Sequence, residues 1–132
     1  MPALTRVAVR AALIYLVLGF TFGGLLLSNK GVPFAAALWR LRPAHIEFLF
    51  VGWMVQFALG IAHWIIPRFR GGDFGRTELA WLALGLLNAG ILLLAFGPLL
   101  GLGGWAQAVG RALEAGAAVS YGVYIWPRVR PR

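Results

Sequence analysis

Residues 43–69 read PAHIEFLFVGWMVQFALGIAHWIIPRF, an apolar run that contains two histidines, one glutamate and one glutamine. An apolar stretch of about 20 residues is long enough to cross a bilayer as a helix. Pro43 suits the first turn of such a helix, and Pro67 predicts its end because the residue before a proline resists helical geometry. The stretch therefore predicts a membrane-spanning helix from Pro43 to Ile66 that carries polar side chains.

The rest of the chain has the composition of a membrane protein. Of its 132 residues, 61% are hydrophobic and only 12% are charged. A soluble domain of this length carries about twice that charge, so a soluble fold is not expected. Four apolar runs are long enough to span, and they predict an all-α integral membrane four-helix bundle forming a single domain over residues 1–132: Val7 to Ser28, Pro43 to Ile66, Glu78 to about Leu100, and Trp105 to Trp126.

The charged residues lie mostly between the apolar runs and predict an orientation. One side of the predicted bundle carries eight arginines: Arg6, Arg10, Arg68, Arg70, Arg76, Arg128, Arg130 and Arg132. The other side carries Lys30, Arg40 and Arg42. The positive-inside rule then predicts a bacterial inner (cytoplasmic) membrane protein with both termini cytoplasmic. The basic ends are expected to contact lipid headgroups, and no nucleic-acid partner is expected.

Four residues of the second predicted helix form a stripe that predicts a buried face. At roughly 100° per residue, His45, Gly52, Gln56 and His63 fall within about 20° of one line. A polar stripe on a membrane helix is expected to face protein, a cofactor or water rather than lipid. Two interpretations stay open, namely hydrogen bonds between helices with interfacial histidines, or a cofactor held against the stripe.

The spacing of the histidines restricts any cofactor site. His45 and His63 are about 27 Å apart at the helical rise, so they cannot bind the same iron. No other predicted helix contains a histidine, and the chain has no cysteine. The missing cysteines exclude disulfides, thiolate metal sites, iron–sulfur clusters and covalent c-type haem. A site with two histidine ligands therefore needs a second copy of the chain or another subunit.

The remaining charged groups of the predicted helices also have two interpretations each. Glu47 faces nearly the opposite way from His45, and either pairs with Arg40 or Arg42 or acts as a metal ligand or proton-transfer group. Arg111 and Glu114 are three residues apart and are expected to pair across one helical turn. An ion or proton path is the alternative for that pair.

Several motifs of the chain resemble a known family. The patterns W-M-x-Q, G-x-A-x-W and P-R-F occur between Trp53 and Phe69, L-N-x-G from Leu87 to Gly90, and W-P-R-V-R from Trp126 to Arg130. The second helix resembles that of the catalytic subunit I of haem-copper oxidases, in the cbb3-type and nitric-oxide-reductase branch. The whole chain is similar to small four-helix proteins described as cbb3-type oxidase subunit I-like.

This resemblance implies a fold and a site. The oxidase subunit has twelve helices in three four-helix arcs, so one such chain corresponds to one arc and a homotrimer would rebuild the whole shape. His45 matches the family's low-spin haem ligand at the outer end of the second helix. The family's copper-binding histidines and cross-linked tyrosine are absent, so oxygen reduction by this chain alone is not expected.

The sequence thus favours a membrane haem- or metal-binding protein, with b-type cytochrome-like electron transfer or small-gas binding. The cofactor is expected to be haem b, with copper or another transition metal as alternatives. The expected binding residues are His45, Gly52, Gln56 and His63, with His45 and Glu47 for a metal. A homotrimer is favoured, and a twofold dimer with two haems is the other arrangement. The alternative function is a cofactor-free structural or accessory subunit beside a respiratory-chain partner.

Overall fold

The computed structural model describes residues 1–69 and 72–129. Four helices run through this part of the chain: α1 Ala3–Gly31, α2 Ala36–Ile65, α3 Thr77–Phe96 and α4 Gly104–Val129. These residues contain no strand, so the predicted all-α fold is confirmed. Three arginines that contribute to the predicted cytoplasmic charge lie outside the described residues: Arg70, Arg130 and Arg132.

Three of the four helices are long and apolar enough to cross a membrane, namely α1, α2 and α3. The fourth helix, α4, is not among them. Its sequence is rich in alanine and glycine and contains Arg111 and Glu114, whereas that of α3 is rich in leucine. The α4 sequence is therefore less apolar than that of α3. The apolar helices indicate contact with a lipid bilayer, and the crossing of the bilayer by α4 stays a prediction.

The hydrogen-bonding pattern of α2 changes along its length. It begins as a 3-10 helix over Ala36–Leu41, continues as an α-helix over Arg42–Glu47, becomes a π-helix over Phe48–Val55, and ends as an α-helix over Gln56–Ile65. Pro43 lies in the first turn of the α-helical part, and the 3-10 turn begins the helix seven residues before the predicted start. At the other end Ile66 is extended, with ψ 134°, as predicted for the residue before Pro67.

Small residues allow α1 and α2 to pack closely as a first helical hairpin. A methyl group added at Gly52 would lie 2.7 Å from the Tyr15 ring, and one at Gly60 would lie 2.9 Å from the Ala8 methyl. Both distances are shorter than ordinary contacts, so the glycines permit this approach of the two helices.

The second hairpin, α3 and α4, is joined by a short turn over residues 97–103. Leu102 N–H donates to Gly97 O at 2.9 Å, and Gly101 has a φ of 69°, which favours glycine. A methyl group at Gly90 of α3 would lie 2.9 Å from the backbone oxygen of Gly110 in α4. The two helices therefore touch through their backbones.

The start of α3 has no side-chain cap, and α4 continues past a proline. Thr77 begins α3 without capping it, since the N-cap position is Arg76 and no side chain bonds the first N–H groups. Pro127 lies inside α4, which continues to Val129. The extension is consistent with the contacts of Arg128, which bind the last turn of α4 to α2.

The hairpins meet around Phe48, a fully buried side chain of α2. Its ring centroid lies 5.1 Å from that of Tyr15 in α1 and 5.8 Å from that of Phe96 in α3. The core around it contains Tyr15, Ala44, Phe48, Leu87, Ile91, Ala95 and Ala117. Many large apolar side chains remain exposed on the outside of the bundle, as expected for helices that face lipid.

Candidate functional site

His45 lies in the α-helical part of α2 and contacts α1. Its Nδ1 is 2.8 Å from the backbone oxygen of Gly19. A carbonyl oxygen can only accept, so Nδ1 carries the proton and donates it. A methyl group at Gly23 would lie 2.6 Å from the ring carbon Cε1, so the ring occupies space that this glycine leaves open. The ring is half-buried, and its Nε2 has no hydrogen-bond partner among the described residues.

Gly52 and Gln56 lie near the middle of the bundle and also face α1. The fully buried Gln56 amide donates to Ala8 O at 3.3 Å, and its oxygen accepts from Asn88 Nδ2 at 2.8 Å. The Asn88 side-chain oxygen accepts in turn from Tyr15 OH at 2.8 Å. This network connects α1, α2 and α3. Asn88 thus links α3 to α1 and α2 by hydrogen bonds, a role that is typical of a polar residue in an apolar helix.

His63, at the far end of α2, is held by α4 rather than α1. Its Nδ1 lies 2.7 Å from Tyr124 OH, and Arg128 Nη1 donates to the same hydroxyl. The Tyr124 hydroxyl thus connects His63 to Arg128. The Phe74 ring stacks on the imidazole with centroids 4.8 Å apart. His63 is 2% exposed, so its side chain is buried between elements of the same chain.

Glu47 forms a bidentate ion pair with Arg111 of α4, at 3.1 Å and 2.9 Å. The expected partners, Arg40 and Arg42, are not the ones found. Arg111 also binds Glu114 at 2.7 Å, which confirms the predicted pair across one turn. The Glu47 side chain is 5% exposed, whereas that of Arg111 is 60% exposed. The second Glu114 oxygen is buried without a hydrogen-bond partner in the described residues.

The four residues of the predicted stripe all contact neighbouring helices, and they do not form one site. His45, Gly52 and Gln56 pack on α1, while His63 packs on α4. In the π-helical stretch the backbone hydrogen bonds join residues five apart rather than four. The rotation per residue there differs from 100°, so the predicted alignment of His45 with His63 is shifted. His45 and Glu47 lie on opposite sides of α2, as predicted. In the described residues no group of three or more histidine, cysteine or acidic side chains is placed to hold a metal ion.

Sequence reasoning missed the polar face that α4 presents to α2. Tyr121 OH donates to Leu59 O at 2.7 Å, and Arg128 donates to the backbone oxygens of His63, Ile66 and Pro67. The sequence does indicate this face, because its residues are three or four positions apart: Arg111, Glu114, Ala117, Tyr121, Tyr124 and Arg128. Steps of three and four residues place side chains on one helix face.

Comparison of the chain with protein-family models, with curated proteins and with solved structures finds no match. The resemblance to haem-copper oxidases, the four-helix arc and the homotrimer stay predictions that rest on the quoted motifs.

Proposed function

We propose that the chain is a membrane haem- or metal-binding protein in which His45 is the axial ligand. The observation that supports this is the hydrogen bond from His45 Nδ1 to Gly19 O. Histidines that bind metals usually donate their other ring N–H to a carbonyl or carboxylate, which fixes the tautomer and the ring orientation. In His45 this leaves the Nε2 lone pair free for a ligand.

His45 is the single ligand of this proposal within one chain. His63 is excluded because its ring is buried inside the chain and stacks on Phe74 and Tyr124. Glu47 is excluded because both of its oxygens bind Arg111. Gly52 and Gln56 hold α2 against α1 and so fix the position of the ring. Bound haem would supply one-electron transfer when its sixth position is filled, or small-gas binding when that position is open.

A second copy of the chain is the proposed source of any second ligand. A homotrimer is favoured and a dimer is the alternative, in a bacterial inner membrane with both termini cytoplasmic. The mass of the protein in detergent, corrected for bound detergent, distinguishes the two assemblies.

The test is the visible absorption spectrum of the protein, purified in detergent and incubated with haem. We expect a haem-specific Soret band in the wild type and its loss in His45→Ala. Gly23→Ala should weaken the band, because the new methyl would lie 2.6 Å from the ring. Gly24→Ala is the matched control, since nothing lies within 4 Å of its added methyl, and it should keep the full band.

A cofactor-free accessory subunit is the second candidate function. It is favoured by the polar side chains Glu47, Gln56 and His63, which are all bonded within the chain. This alternative predicts a colourless protein that takes up neither haem nor a transition metal. A band of unchanged strength in His45→Ala would also overturn the first proposal.

A further inference from the structure

A groove of about 590 Å³ opens beside the Glu47–Arg111 pair. It lies between the first turns of the α-helical part of α2, the last turns of α3 and the start of α4. Its apolar wall includes Ile46, Leu94 and Pro98, and its polar groups belong to Arg42, Glu47, Gln107 and Arg111. The groove thus combines apolar and charged lining groups.

Two polar side chains of this groove, Arg42 and Gln107, are free, whereas Glu47 and Arg111 are bonded to each other. Both oxygens of Glu47 accept from Arg111. In the described part of the chain, the exposed side chains of Arg42 and Gln107 form no hydrogen bond or ion pair. Arg111 is paired with both Glu47 and Glu114, so among the described residues that line the groove Arg42 is the cation without an acidic partner. The free guanidinium of Arg42 and the free amide of Gln107 can therefore donate to an anion.

The start of α4 adds to this preference. Gly104 lines the groove and begins the helix. The first N–H groups of a helix have no acceptor within it, and the helix dipole is positive there.

The groove lies at the level where lipid headgroups are expected. Trp39 and Trp105 are at the same end of the bundle and are 48% and 60% exposed. Exposed tryptophans mark the boundary between hydrocarbon and water in membrane proteins. An occupant at this depth has access to both the apolar wall and the free donors.

We propose that this groove binds an anionic phospholipid, with its phosphate held by Arg42 and Gln107 and an acyl chain against Ile46 and Leu94. This site is separate from His45 and does not depend on haem binding.

The test is native mass spectrometry of the full chain in detergent, after incubation with phosphatidylglycerol or phosphatidylcholine at equal concentration. We expect phosphatidylglycerol to be retained preferentially. Arg42→Ala should lower its retention about fivefold, as for the loss of one arginine beside an anionic headgroup. Arg40→Ala is the matched control, because Arg40 is also exposed but does not line the groove.

Three outcomes would overturn the proposal. The first is equal loss in Arg40→Ala and Arg42→Ala, which would indicate a diffuse attraction. The second is displacement of the lipid by inorganic phosphate at the same concentration, which would indicate a simple anion site. The third is unchanged retention in both Arg42→Ala and the uncharged groove variant Gln107→Ala, each with a wild-type unfolding temperature.

Discussion

Arg128 donates hydrogen bonds to backbone oxygens at the end of α2 that have no partner within the helix. The final carbonyl groups of a helix have no N–H partner within it. Arg128 donates to three backbone oxygens there: those of His63, Ile66 and Pro67. Its guanidinium suits this role because it offers five N–H donors in a planar fork. One side chain of α4 thus caps the end of α2, which Pro67 determines.

Substitution of Arg128 should therefore destabilise the bundle. We expect Arg128→Ala to lower the free energy of unfolding by about 2–4 kcal/mol, since buried carbonyls lose charged donors. Arg128→Lys should retain only part of the stability, because an ammonium group cannot bridge the same set of oxygens. Denaturant unfolding in detergent measures both changes. Arg76→Ala, at an exposed position, is the control and should change stability by less than about 0.5 kcal/mol.

At the scale of the helix, α4 differs from the other three. It has a polar and aromatic face towards α2 and a backbone contact with α3. Its small residues reduce its hydropathy, and the same residues allow the close approach to α3. The small residues of α4 thus have two effects: they make it less apolar than the other helices, and they let it pack closely on α3.

The contact between α3 and α4 predicts different effects for two glycines of α3. Gly90→Ala places a methyl 2.9 Å from Gly110 O, so the helices must separate, and we expect a loss of about 1–3 kcal/mol in unfolding free energy. Gly85→Ala meets nothing within 4 Å and should be neutral or stabilising by up to about 1 kcal/mol, because alanine favours helix. Equal effects of the two substitutions in thermal unfolding would contradict the backbone contact.

Across the whole molecule, polar groups hold the two hairpins together at three levels. Glu47 and Arg111 join α2 to α4 at one end, Gln56 and Asn88 join α2 to α3 in the middle, and His63 joins Tyr124 of α4 at the other end. Lipid is as apolar as leucine, so burial of leucine gives little drive for helices to associate within a membrane. The three polar layers specify which helices meet.

The predicted topology can be tested on the whole chain because it contains no cysteine. We expect single cysteines replacing Val32 and Leu100 to react with an impermeant maleimide on intact spheroplasts. Cysteines replacing Arg76 and Val129 should react only after the membrane is opened. Reaction of the Leu100 and Val129 variants from the same side would mean that α4 does not cross the bilayer.

The helices and their approximate ends follow from local properties of the chain. Long apolar runs, Pro67 and the three-residue spacing of Arg111 and Glu114 act within one helix, so their effects could be predicted without a fold. The partners of His45, Glu47 and His63 could not. Gly19 is 26 residues from His45, Arg111 is 64 from Glu47, and Tyr124 is 61 from His63. Which side chains meet depends on how the helices cross and on the π-helical stretch of α2, and only packing in three dimensions determines these.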